Sequence, residues 1–198
     1  MNIAVLASGE GTTLQAILDA CSAGELSARI CLVVSNNSRS GALARAASMG
    51  IAGAHFSALT HPDPAHLDHA IKERLTAAEA DVVLLAGFMK RLGPATLEQF
   101  RGRIINTHPA LLPKFGGRGM YGLAVHQAVI DANEPISGAS VHLVDTEYDT
   151  GRVIARREVS VEPGDTAESL STRVQACERA LLVSVLDELA RGARTLPL

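Results

Sequence analysis

Short, unbroken apolar runs alternate with segments of helical spacing along the first half of the chain. The runs are Ile3–Ala7, Ile30–Val34, Val82–Ala86 and Arg103–Thr107. Continuous apolar character of this kind predicts strands covered on both faces, as in a parallel sheet. Between them the spacing predicts helices over Thr13–Ala23, Gly41–Met49, Pro64–Ala78 and Pro94–Phe100. Leu14, Ile17, Leu18 and Cys21 form the apolar stripe of the first; Leu67, Ile71 and Leu75 form that of the third. The second half reads differently. Lys114–Gly122 is glycine-rich and basic, a mobile loop, and a short helix follows over Leu123–Ala132. Ser137–Val144 and Val153–Val161 alternate like strands around an acidic turn, and Thr166–Gly192 predicts one long closing helix. Its inner stripe is Leu170, Val174, Cys177, Leu181, Val185 and Leu189. Strand–helix alternation predicts an α/β fold: a doubly wound, mostly parallel sheet with helices on both faces. No composition break marks a boundary, so one domain over residues 1–198 is expected.

Composition narrows the function classes. The 198 residues hold 18 Lys+Arg against 21 Asp+Glu, a net charge of −3, and only four Phe, two Tyr and no Trp. A basic, aromatic nucleic-acid platform is not expected from such a chain. No apolar run reaches the roughly 18 residues of a membrane span, and the start reads as a buried strand rather than a secretion signal. Cys21, Cys31 and Cys177 are odd in number and lack CxxC spacing, which predicts reduced, buried thiols in a cytoplasmic protein.

Two segments carry chemistry. Ser8-Gly9-Glu10-Gly11-Thr12-Thr13 joins a strand to a helix. Glycines let a ligand approach the backbone, and the helix N-terminus favours an anion such as phosphate. The same residues fit a plain tight turn with Thr12 or Thr13 as N-cap. The second segment, IINTHPALLPKF, places Asn106 and His108 two apart on a strand end, hence on one side, with Pro109 and Pro113 stiffening the exit. An amide donor beside an imidazole suits acyl transfer, which needs an oxyanion donor and a proton carrier. Asp149, in the turn of the last hairpin, is the leading carboxylate partner, with His142 and Asp145 on the same hairpin. A hydrogen-bonded structural histidine is the competing reading of His108. Metal-ligand spacings such as HxxxH and HExxH are absent, so no metal is expected, and there is no GxSxG elbow.

Taken together, NIAVLASGEGTTLQAI, DVVLLAGFMKRLGP, INTHPALLPKF, GASVHLVDTEYDTG and RVQACERA resemble, in that order, the glycinamide ribonucleotide formyltransferase family. NxHPxLLP is shared across the 10-formyltetrahydrofolate enzymes; the first loop and the terminal QxxE narrow the likeness. The resemblance implies a Rossmann-like formyltransferase fold and transfer of a formyl group from 10-formyltetrahydrofolate to the amine of 5-phosphoribosylglycinamide in purine biosynthesis. By position it implies a catalytic triad of Asn106, His108 and Asp149, with His108 kept charged by Asp149. It implies ribonucleotide contacts at Gly11, Thr12, Thr13, Gln175 and Glu178. It also implies a folate wall at Met89, Lys90, Arg91 and Leu92, completed by Asn106 and the loop Asp145, Thr146, Glu147, Tyr148 and Asp149. For Lys90-Arg91 a solvated basic turn fits as well.

The chain departs from the family at Glu10, which must point away from phosphate, and in HPDPAHLDH near residue 64, where no folate-linked arginine occurs. Its loop KFGGRGMYG is longer than in some relatives, with Lys114 and Arg118 as further anion contacts. The partners expected are the two small molecules, with no nucleic acid or membrane, in a monomer or homodimer. Formyltetrahydrofolate hydrolase, usually preceded by a regulatory domain, and methionyl-tRNA formyltransferase, usually followed by a basic domain, are expected not to fit a catalytic fold beginning at residue 2 and ending at Leu198. A non-catalytic nucleotide-binding module requires His108 to be structural.

Overall fold

A computed structural model describes residues 1–198. In chain order the elements are β1 (Asn2–Leu6), α1 (Thr12–Ser22), β2 (Arg29–Ser35), α2 (Gly41–Ser48), β3 (Gly53–His55), α3 (Pro64–Ala77), β4 (Val82–Leu85), α4 (Pro94–Gln99), β5 (Ile104–His108), α5 (Leu123–Asp131), β6 (Ile136–Leu143), β7 (Val153–Ser160) and α6 (Ala167–Ala190). Seven strands form one sheet in the order β3-β2-β1-β4-β5-β6-β7. Every predicted element is present, with ends shifted by one or two residues. β3 is the addition: Gly-Ala-His is too short and too weakly apolar to register as a run.

The chain divides into two compact units, Met1–Ile105 with Leu186–Leu198, and Asn106–Val185. In the first, β1 pairs in parallel with both β2 and β4, and β2 with β3. All four residues of β4 and four of the five in β1 are buried. Because successive side chains point to opposite faces, such runs need cover on both sides of the sheet, which explains their unbroken apolar sequence. In the second unit β6 and β7 form an antiparallel pair. Val129 of α5 and Leu170 and Val174 of α6 make a buried cluster there, flanked by Phe115, Ile130, Val159 and Val161.

The three cysteines are free, as expected, but each is only half-buried, including Cys177 on the α6 stripe. No helix is long and apolar enough to cross a membrane.

Candidate active site

The loop after β1 ends in Gly11, which adopts the left-handed conformation at φ 71° and serves as the N-cap of α1. A side chain here would be strained, and its Cβ would lie 2.8 Å from Ala42 Cα of α2. Thr12 and Thr13 are therefore the first helical residues; neither is the N-cap that the plain-turn reading assigns to them. No side chain caps α1, which leaves its first amides to receive an anion. Arg45 donates from Nε to the Glu10 carbonyl (2.9 Å) and from Nη1 to Gln15 Oε1 (2.8 Å), fixing the loop from outside. A Cβ on Gly41 would meet Glu10 Oε2 at 2.9 Å, so the carboxylate is turned onto the start of α2. This is how the chain carries an acid in the loop without aiming it at the α1 terminus.

Met89 to Leu92 lie in the irregular segment between β4 and α4. Met89 is 51% exposed, Lys90 and Arg91 are exposed, and Leu92 is buried. The far end of the segment is set by Asp68 of α3, a carboxylate only 5% exposed. It accepts the Ala95 amide (2.7 Å), the Thr96 amide (3.1 Å) and the Thr96 hydroxyl at the start of α4. Gly93 lies against it so closely that a Cβ would reach 2.3 Å from Asp68 Cγ.

Asn106, His108 and Asp149 meet within the second unit. Asn106 and His108 stand at the carboxyl end of β5, and Asp149 arrives from the β6–β7 loop with φ 57°. His108, 3% exposed, faces only acceptors: its Nδ1 is 3.4 Å from Asp149 Oδ2, and its Nε2 donates to the Phe115 carbonyl at 2.7 Å. Asp149 also accepts the Gly117 amide (2.9 Å) and lies 3.5 Å from His142 Nε2. His142 Nδ1 bonds the Leu143 carbonyl at 2.8 Å. A carbonyl only accepts, so that nitrogen carries the proton and the neutral ring presents a lone pair at Nε2. Asn106 Nδ2 fills it at 3.1 Å, which fixes the amide's orientation and leaves its second N–H free to donate elsewhere.

Burial pushes the His108 pKa down, while the Asp149 charge and the Phe115 carbonyl push it up; the net position is below the ordinary imidazole value. The resting ring is thus less readily charged than the resemblance implies, because desolvation outweighs the neighbouring carboxylate. The geometry nonetheless accepts a proton without rearrangement, since both ring nitrogens already face acceptors. For Asp149, burial pushes up, but His108 and the Gly117 amide oppose it, and its carboxyl titrates below the usual range.

Of the remaining residues, Asp145 shapes the hairpin loop by accepting the Glu147 amide (3.0 Å) and the Thr150 hydroxyl (2.7 Å), with Thr146, Glu147 and Tyr148 exposed. Glu178 of α6 reaches the hydroxyl of Thr107, between Asn106 and His108; burial raises its pKa, with Thr107 and Arg179 opposing. Gln175, one turn earlier, is exposed and bonds Ser171 Oγ at 3.0 Å. Lys114 pairs with Glu134 at 2.7 Å, which occupies one of the two cations expected to assist an anion. Gly11–Thr13 and Met89–Leu92 belong to the first unit, and the triad with Gln175 and Glu178 to the second.

His142, the Phe115 carbonyl and the Gly117 amide are the parts that residue patterns did not assign. His142 had a signal, its place on the triad's hairpin. The two backbone groups had none, since every residue carries them.

An amide, an imidazole and a carboxylate grouped beside a strand end define a class: an α/β protein with a site suited to group transfer. The chain belongs to the formyl transferase family, whose pattern matches residues 1–186. It is 37% identical over 192 residues to the phosphoribosylglycinamide formyltransferase of Escherichia coli strain K12, covering 97% of this chain and 88% of that protein. It is 38% identical over 185 residues to the chloroplastic phosphoribosylglycinamide formyltransferase of Arabidopsis thaliana, covering 93% of this chain. The chain spans only about three fifths of the plant chloroplast relatives, 63% in Arabidopsis thaliana and 60% in Vigna unguiculata. Among solved structures, the phosphoribosylglycinamide formyltransferase of Bacillus halodurans superposes with a TM-score of 0.89 at 33% identity, with both chains covered fully.

Proposed function

We propose that the protein transfers the formyl group of 10-formyltetrahydrofolate to the amine of 5-phosphoribosylglycinamide, a step of purine biosynthesis. The relatives named above support the substrate pair. The observation that carries the mechanism is the pairing of His108 with Asp149 beside an Asn106 amide whose orientation His142 fixes. The free N–H of Asn106 donates to the formyl oxygen as it gains negative charge under attack by the amine. His108 acts in its charged form, with Nδ1 held by Asp149, and its Nε2–H turns from the Phe115 carbonyl to the same oxygen. As the bond between the formyl carbon and the folate nitrogen breaks, the imidazolium protonates that departing nitrogen, and the proton shed by the attacking amine restores the charged ring.

Uncapped amides at Thr12 and Thr13 suit the ribonucleotide phosphate, with Gln175 and Glu178 as further contacts. Met89, Lys90, Arg91 and Leu92, with Asn106 and the Asp145–Asp149 loop, suit the folate. The reading includes one formyltransferase domain over residues 1–198, supported by a family match over residues 1–186. It also includes a cytoplasmic location and assembly no larger than a homodimer.

Tetrahydrofolate release measured with and without the ribonucleotide tests the proposal. Release only when the ribonucleotide is present is expected. Release without it means hydrolysis, and no release under either condition means a binding module; both overturn the reading.

A further inference from the structure

Ser8, half-buried two residues past the end of β1, uses every polar group it has. Its amide donates to the Gly87 carbonyl at 3.1 Å, and its carbonyl accepts the Asn37 side-chain amide at 3.4 Å. Its hydroxyl donates to Asn36 Oδ1 and accepts the Met89 amide at 2.8 Å. Asn36 and Asn37 follow β2, Gly87 and Met89 follow β4, and Ser8 itself opens the loop that ends at Gly11. One side chain therefore joins the three loops at the carboxyl ends of three neighbouring parallel strands.

The direction of these bonds is set by chemistry. A hydroxyl has one hydrogen, and Asn36 Oδ1 can only accept, so the hydrogen goes to Asn36 and a lone pair is left for Met89. Residues 87 to 92 lack regular hydrogen bonding, so side-chain anchors of this kind decide where their backbone sits. Asp68 supplies such an anchor at the α4 end; at the β4 end the anchor is Ser8.

We infer that Ser8 is a positioning residue: through the Met89 amide it holds the 87–92 segment in fixed relation to the Gly9–Gly11 loop, and so organises the folate wall before ligand arrives. This rests on the proposed role of Met89–Leu92 in folate binding. Alanine at position 8 removes one acceptor and one donor together, leaving the Met89 N–H and Asn36 Oδ1 unpartnered. The segment gains freedom that the ligand must remove on binding. The effect belongs to donor affinity rather than to the chemical step, because Ser8 touches no reacting atom.

Hydrogen exchange at the Met89 amide, with donor KM and kcat, tests this in Ser8→Ala and Ser8→Thr. In Ser8→Ala, Met89 exchange and donor KM should each rise about three- to twelvefold, the range of one lost hydrogen bond, and kcat should fall by less than KM rises. Ser8→Thr keeps the hydroxyl and should restore both. Exchange at Met89 within twofold of native in Ser8→Ala, an unchanged donor KM, or a threonine variant that behaves like alanine overturns the assignment. A native protein that binds no donor overturns the folate reading instead, and the exchange rates then decide the bridge alone.

Discussion

Asn106 and His142 form a pair in which one ring fixes one amide: the Leu143 carbonyl holds the proton on His142 Nδ1, and Nε2 then takes an N–H of Asn106 at 3.1 Å. The oxyanion donor is thereby oriented before substrate arrives. His142→Ala should lower kcat about tenfold, the effect of one net hydrogen bond, and less than loss of Asn106 itself. Steady-state kinetics checks this; a change under about twofold would mean that the amide orients itself without the ring.

Asp149 opposes the burial that depresses His108. Asp149→Asn removes that opposition, so the His108 pKa falls further, and the alkaline limb of the pH–rate profile, where the charged ring is lost, should move to lower pH. The carboxylate also titrates below its ordinary range in the folded protein. It therefore contributes stability that is complete above the ordinary carboxylate pKa and fades as pH falls through the folded value. The asparagine variant should lose that contribution at neutral pH while showing a weaker fall in stability on acidification. Identical pH–rate profiles for both proteins would sever the two residues.

Gly11 combines a left-handed φ of 71° with a Cβ position 2.8 Å from Ala42 Cα. Gly11→Ala should cost about 2–4 kcal/mol in unfolding free energy, from backbone strain plus overpacking, and should raise the ribonucleotide KM. Urea denaturation and kinetics together check it; a variant of native stability would mean that the loop relaxes freely.

The continuous runs of β1 and β4 and the stripe of α1 were legible because burial writes directly into side-chain type; β6 alternates in sequence yet is buried through most of its length, its polar positions Ser137, Ser140 and His142 included. Asn106 and His108 were legible as a pair because strand geometry turns residues two apart to one side. Asp149, 41 residues on from His108, was legible as the leading carboxylate partner from its place in the turn of the last hairpin, and the family resemblance implied the same residue. The Phe115 carbonyl and Gly117 amide left no mark in residue types. Nor did the balance at His108, where desolvation, invisible in a sequence, outweighs the charge of a partner that the sequence does suggest. Thr12 and Thr13 looked like caps by type, yet Gly11 takes the cap through a backbone conformation that only structure reveals.

Asp68 accepts three hydrogen bonds from the first turn of α4 while 5% exposed. Asp68→Ala leaves the Thr96 hydroxyl buried without that acceptor and the helix start uncapped, and should cost about 2–4 kcal/mol. Chemical denaturation reads this directly. A loss below about 0.5 kcal/mol, the level of an ordinary surface change, would show the carboxylate to be dispensable.

In the proposed reaction Asn106 and His108 act on the formyl group itself. The direct measurement is kcat for formyl transfer to the ribonucleotide by His108→Ala and Asn106→Ala, with folding checked by circular dichroism. Each variant should lose about 10²–10³ in kcat at native fold, the loss seen when one oxyanion donor is removed. If His108→Ala retains more than about a tenth of native kcat, the histidine is a structural group and the chemistry lies elsewhere.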